Sequence, residues 1–185
     1  MVAIIILVIL AILTAIFIAV YNSLVVKRKR VQNAWSQIDV QLKRRHDLIP
    51  NLVNAVKGYM KFEKETLEKV IEARSKAVNA GNLQDRMKAE GELSGFLSRL
   101  LVVMEQYPDL KASQNVTQLT EELTSTENRI SYARQFYNDT VMKYNTALEV
   151  FPSNIIASLF KFKPYPFFEI SSEAEREAPK VNLDF

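Results

Sequence analysis

The 185-residue sequence contains no cysteine. That excludes disulfides, thiolate metal sites and cysteine nucleophiles, and it is compatible with a reducing compartment. There is one histidine, His46, so a two-histidine zinc site, an HExxH helix or the paired Glu-x-x-His motifs of di-iron bundles cannot be built. Only four glycines occur, none of them in a phosphate-cradling loop, so nucleotide hydrolysis has no cradle. Strand-period patterns are missing from the long central region. No catalytic residue, metal ligand or cofactor is expected, and the chain reads as a non-enzyme.

What is present begins with an apolar run from Val2 to Val20, interrupted only by the hydroxyl of Thr14. As a helix it would rise about 28 Å, close to a hydrocarbon core of about 30 Å. A cleaved signal peptide would need a basic start, a shorter apolar stretch and a small-x-small cleavage site, and the chain opens Met1-Val2-Ala3. A buried core helix would need a shell that the remaining amphipathic segments do not offer. The run therefore reads as one transmembrane anchor. The cluster Lys27, Arg28, Lys29 and Arg30, reinforced by Lys43, Arg44 and Arg45, should keep its side cytoplasmic, with the N-terminus outside. The same four residues are the expected membrane-surface contact, since the net charge of +3 is concentrated there and anionic headgroups are a better partner than nucleic acid. Ala11, Ala15 and Ala19 recur every four residues, a stripe that lets two helix backbones approach and suits anchor self-association into a homo-oligomer.

Beyond the anchor, Val31, Trp35, Ile38, Leu42 and Ile49 follow heptad steps, with Arg45 in the skipped place. Pro50 interrupts the pattern, which resumes through Leu52, Val56, Met60, Leu67 and Val70. This predicts one kinked helix ending near Ala80-Gly81-Asn82. A second arm is expected over 84–107, with Leu93, Leu97, Leu100 and Met104 on one stripe. A third should start near Asn115 and run to Phe151-Pro152, its seam set by Leu119, Leu123, Thr126, Ile130, Ala133, Tyr137, Thr140, Tyr144, Ala147 and Phe151. The fold class is all-α: a single N-terminal transmembrane helix continuing into an antiparallel cytosolic helical bundle or coiled coil. The expected divisions are an anchor over 1–20, a helical domain over 21–159 and a tail over 160–185. In that tail, Phe160, Phe162, Tyr165, Phe167 and Phe168 alternate with lysines and prolines and should pack back over the domain, in preference to the bilayer. The stretch from Ser171 onward is charged and weakly patterned, and is expected to be poorly ordered.

The polar residues invite catalytic readings that spacing weakens. His46 and Asp47 are sequence neighbours, which on a helix point about 100° apart; with Lys43, Arg44 and Arg45 before it, His46 is expected on a solvated charged face. Glu65 and Lys69 are ordinary i,i+4 support. Thr126, Asn128, Asn138 and Asn145 bring polar groups to the third seam, where they would fix register and partner choice.

Several segments, taken in order, closely resemble the LemA family of bacterial membrane proteins: Val31-Gln32-Asn33-Ala34-Trp35-Ser36-Gln37-Ile38-Asp39, Arg45-His46-Asp47-Leu48-Ile49-Pro50-Asn51-Leu52-Val53, Tyr107-Pro108-Asp109-Leu110-Lys111-Ala112, Thr126-Glu127-Asn128-Arg129-Ile130 and Phe151-Pro152-Ser153-Asn154-Ile155-Ile156-Ala157. Phe62 and Val116 stand where many relatives would have His and Phe. The resemblance implies one N-terminal membrane helix and a cytosolic helical domain, and no catalytic residues. It also implies a link to a magnetosome-forming relative active in membrane remodelling, and to a membrane zinc protease of the stress-response class. The functional expectation is a membrane-anchored helical scaffold or adaptor in the bacterial cell membrane, organising lipid or membrane-protein partners. The alternative is an accessory or regulatory subunit of a membrane enzyme such as a stress-response protease, with a cleft near Asn128 and Asp139.

Overall fold

A computed structural model describes residues 1–168, so the expectation for the stretch from Ser171 onward lies outside the described residues. Those residues form helices and no strand: α1 (Val2–Val56), α2 (Lys64–Val78), α3 (Leu83–Met104), α4 (Pro108–Ala112), α5 (Gln114–Glu149) and α6 (Ser153–Leu159). They belong to two compact units, one formed by Met1–Val40 with Ile130–Phe167, the other built on Gln41–Arg129.

In the first unit Leu24 packs against Ile156, Ala157 and the partly buried Ala147, while Trp35 meets Tyr137 edge-on at 5.7 Å. Position 24 thus pairs with 147 and position 35 with 137, so the α1 and α5 segments of this unit run antiparallel. Val31, Ile38, Tyr137 and Tyr144 are buried as the heptad steps predict, while Ala34 and Val141 are buried beside the predicted seam residues Trp35 and Thr140, which are only partly buried. No part of the 18-residue apolar window near the start of α1 is buried by the rest of the described chain, and by length and composition it can cross a membrane. Residues 162–167 lie back on this unit. Tyr144 donates its hydroxyl to the Lys163 carbonyl at 3.1 Å and Tyr137 to that of Pro166 at 2.9 Å. Burial pushes the Tyr137 hydroxyl up to about 12, so it stays a donor at any working pH.

In the second unit, Ile49, Leu52 and Val56 of α1, Leu67 and Val70 of α2, Leu93, Leu97 and Leu100 of α3, and Val116 and Leu123 of α5 share one apolar core. The break falls elsewhere than expected. α1 passes through Pro50 and stops at Val56, with Gly58 in the turn that follows, so the predicted single arm is two helices. Proline removes the N–H that would bond the carbonyl four residues back, that of His46. Here the Arg74 Nε of α2 donates to the His46 carbonyl at 2.7 Å, supplying the donor that Pro50 lacks. Asn82, expected to end the first arm, instead starts α3: its Oδ1 accepts from the Asp85 N–H at 2.9 Å. Pro108 both ends the approach of α3 and opens α4 as its first residue.

Candidate functional site

The polar centre of the second unit is set by two seam positions that carry charge. On α3 the apolar stripe of Leu93, Leu97, Leu100 and Met104, extended one step back, lands on Glu90, and Ser94 lies one turn on from it. On α1 the step from Leu42 to Ile49 passes through Arg45. Arg45 and Glu90 are each 1% exposed. Arg45 spreads its guanidinium over three side chains: Nη1 donates to Ser94 Oγ at 2.7 Å and to Glu127 Oε2 at 2.5 Å, and Nη2 to Glu90 Oε2 at 2.5 Å. Nη2 also donates to the Glu90 carbonyl at 3.3 Å, and the Ser94 hydroxyl donates to Glu127 Oε1 at 3.1 Å. The planar fork of arginine suits such a multi-partner role better than a lysine would.

His46 completes the cluster. Its Nε2 is 2.9 Å from Glu90 Oε1, a polar contact aligned off the ring N–H direction. The expectation of a solvated His46 is therefore corrected: it is buried, because neighbours about 100° apart on one helix place His46 beside Arg45 at the edge of the same buried face. Burial alone would raise the Glu90 carboxyl; the His46 contact and the Arg45 charge outweigh it and hold the pKa below the ordinary value. Glu90 is thus a committed carboxylate and a poor general acid, which would need the opposite shift. Glu127, whose side chain is 45% exposed, closes the cluster toward solvent. Two grooves of the same unit, of about 350 and 790 Å³, are lined by other residues.

The residues singled out from sequence fall in different places. Ala11, Ala15 and Ala19 are exposed along α1. Of the basic collar, Lys29 and Arg30 are exposed, Lys27 donates to Ser23 Oγ at 3.0 Å, and Arg28 lies over the Phe162 ring at 5.0 Å. Thr126 is buried and bonds back to the Glu122 carbonyl at 2.7 Å. Asn145 grips the Tyr165 backbone at both ends, donating to its carbonyl at 2.9 Å and accepting from its N–H at 3.1 Å. Asn138 is half-buried, and Asn128 is exposed, two places from the seam residue Thr126 and hence on the far side of α5. Asp139, the other half of the imagined cleft, is also exposed. Among the described residues no group of three or more His, Asp or Glu side chains is placed to hold a metal ion. Sequence reasoning missed Glu90 and Ser94; the signal was present, since Glu90 occupies a seam step as plainly as Arg45 does.

Comparison with known proteins is consistent with this picture. The LemA family model matches residues 34–183. Protein LemA of Metamycoplasma hominis is 29% identical over 162 residues, 87% of this chain and 74% of that protein. Magnetosome protein MamQ 2 of Paramagnetospirillum magneticum is 26% identical over 175 residues, and magnetosome protein MamQ of Magnetospirillum gryphiswaldense 25% identical over 174. Each of these two alignments covers 80% of this chain and 64% of the relative. A match that spans most of the chain, and includes the helices carrying the Arg45–Glu90 cluster, decides the matter: the chain belongs to the LemA family.

Proposed function

We propose that the protein is a membrane-anchored, non-catalytic helical scaffold that self-associates and organises membrane partners. The observation that carries this reading is the apolar stretch of α1, no part of whose 18-residue window is buried: burial of such a surface is worth about 25 cal/mol per Å², and the described chain leaves nearly all of it open. The basic residues from Lys27 to Arg30 support an orientation with the helical domain cytoplasmic and the N-terminus outside. The buried cluster supports a structural role. Its carboxylate is held ionised by the Arg45 guanidinium and the His46 contact, as in a device that fixes which helices pack together. The names of the MamQ relatives tie them to the magnetosome, an organelle, and not to a catalysed reaction. Close approach of two anchors along Ala11, Ala15 and Ala19 supplies the self-association.

Cross-linking of the full-length protein in membranes is the test. The reading expects a defined oligomer that is lost when Ala11, Ala15 and Ala19 are all replaced by Leu, with membrane association retained. A strictly monomeric protein from which no membrane partner is recovered would overturn it.

A further inference from the structure

α6 is a seven-residue helix without charge that carries apolar side chains on both faces, with Asn154 and Ser158 also exposed. The inner face, Ile156 and Ala157, packs on Leu24 of α1. The outer face presents Ile155 and Leu159 one turn apart, 59% and 64% exposed, flanked by Phe151 at 79% and Phe160 at 47%. Depth identifies what covers it. The Phe160 ring lies 6.0 Å from that of Phe17 and 4.7 Å from that of Tyr21, so the end of α6 sits against the last turn of the apolar run. Phe17 is about 4.5 Å inside the end of that run at Val20. The run rises about 28 Å against a hydrocarbon core of about 30 Å, which leaves no spare length to lift Phe17 out of the bilayer. A side chain stacked on Phe17 therefore shares the depth of the hydrocarbon boundary. Lys161 and Lys163 follow α6 and are exposed, where ammonium groups would meet lipid phosphates.

We propose that α6 is a second membrane contact, lying in the bilayer interface with Ile155, Leu159 and Phe160 among the acyl-chain ends and Lys161 and Lys163 at the headgroup phosphates. The proposal rests on the reading of α1 as a membrane span. It makes the chain touch the bilayer at two places far apart in sequence, so that the membrane reads the packing of α6 on α1 as well as the anchor.

Full-length protein in phospholipid vesicles containing brominated acyl chains provides the test. The single tryptophan, Trp35, is about 22 Å along α1 from Val20 and serves as the unquenched reference. In a Trp35→Phe background, Phe17→Trp reports the span and Leu159→Trp reports α6. The expected result is blue-shifted, quenched emission from both. Quenching at position 17 without quenching at 159 overturns the α6 proposal and leaves the span standing; quenching at neither position overturns both. Emission at 159 that is blue-shifted yet unquenched would put a protein surface on α6, and also overturns the proposal. Should Leu159→Trp lose helicity by circular dichroism, Ile155→Cys carrying a polarity-sensitive fluorophore gives the same readout, since the chain has no other thiol.

Discussion

Replacing Arg45 by Met tests whether the buried cluster is a mutually dependent set. In the native protein Glu90, 1% exposed, is held ionised by Arg45 and His46. Arg45→Met removes the guanidinium but leaves the carboxylate in place, and an uncompensated buried charge costs about 3–5 kcal/mol. For a chain of this size that lowers the thermal midpoint by roughly 6–20 °C. Adding Glu90→Leu removes the stranded charge, so the double variant should recover most of the loss, giving a coupling energy of about 2–3 kcal/mol. The pH dependence should be weaker in the variant than in the native protein. Native Glu90 has a depressed pKa, so its contribution is present above the ordinary value of 4.5 and is lost as pH falls through the folded pKa below it. Arg45→Met removes the guanidinium's lowering and leaves the His46 contact opposing burial, so the Glu90 pKa rises from its native position and the stability gained above 4.5 shrinks. Thermal melts of detergent-solubilised protein by circular dichroism measure all of this. Additive single and double effects, or a loss below about 1 kcal/mol for Arg45→Met, would refute the reasoning.

Other consequences follow from the same contacts. Arg74→Met strands the His46 carbonyl that Pro50 cannot serve, costing about 1–3 kcal/mol; adding Pro50→Ala restores an intrahelical donor and should rescue stability in the same melts. Glu127→Gln, at a half-exposed position, should change stability by no more than about 1 kcal/mol, which distinguishes the rim of the cluster from its centre. Asn145→Ala removes both bonds to the Tyr165 backbone, and limited proteolysis with trypsin should then cut after Lys161 faster than in the native chain.

The helical character and most core positions were legible in the sequence because heptad spacing is a property of the chain itself. Leu42, Ile49, Leu123, Ile130, Tyr137 and Tyr144 are buried where the steps of three and four put them. Helix ends were less legible, for a physical reason at each. Pro50 looked like the weak point of α1, but its missing hydrogen bond is supplied by Arg74, a residue whose position depends on tertiary packing. The actual end at Val56 coincides with Gly58, where helix propensity is poor. His46 looked solvated because its sequence neighbours are charged. Its burial depends on Glu90, 44 residues away, and no local pattern reports a partner at that distance. Glu90 was legible in principle: a carboxylate on an apolar stripe, facing an arginine on another, is a sequence signal for a buried ion pair.

The central claim, that α1 spans a membrane once and leaves the helical domain on the cytoplasmic side, is tested most directly with single cysteines in a chain that has none. Val2→Cys marks the start of α1, and Tyr132→Cys a position on α5 where the native side chain is 72% exposed. A membrane-impermeant maleimide applied to right-side-out vesicles should label position 2 and spare position 132, with the pattern reversed in inverted vesicles. Labelling of both positions from the same side would contradict the account.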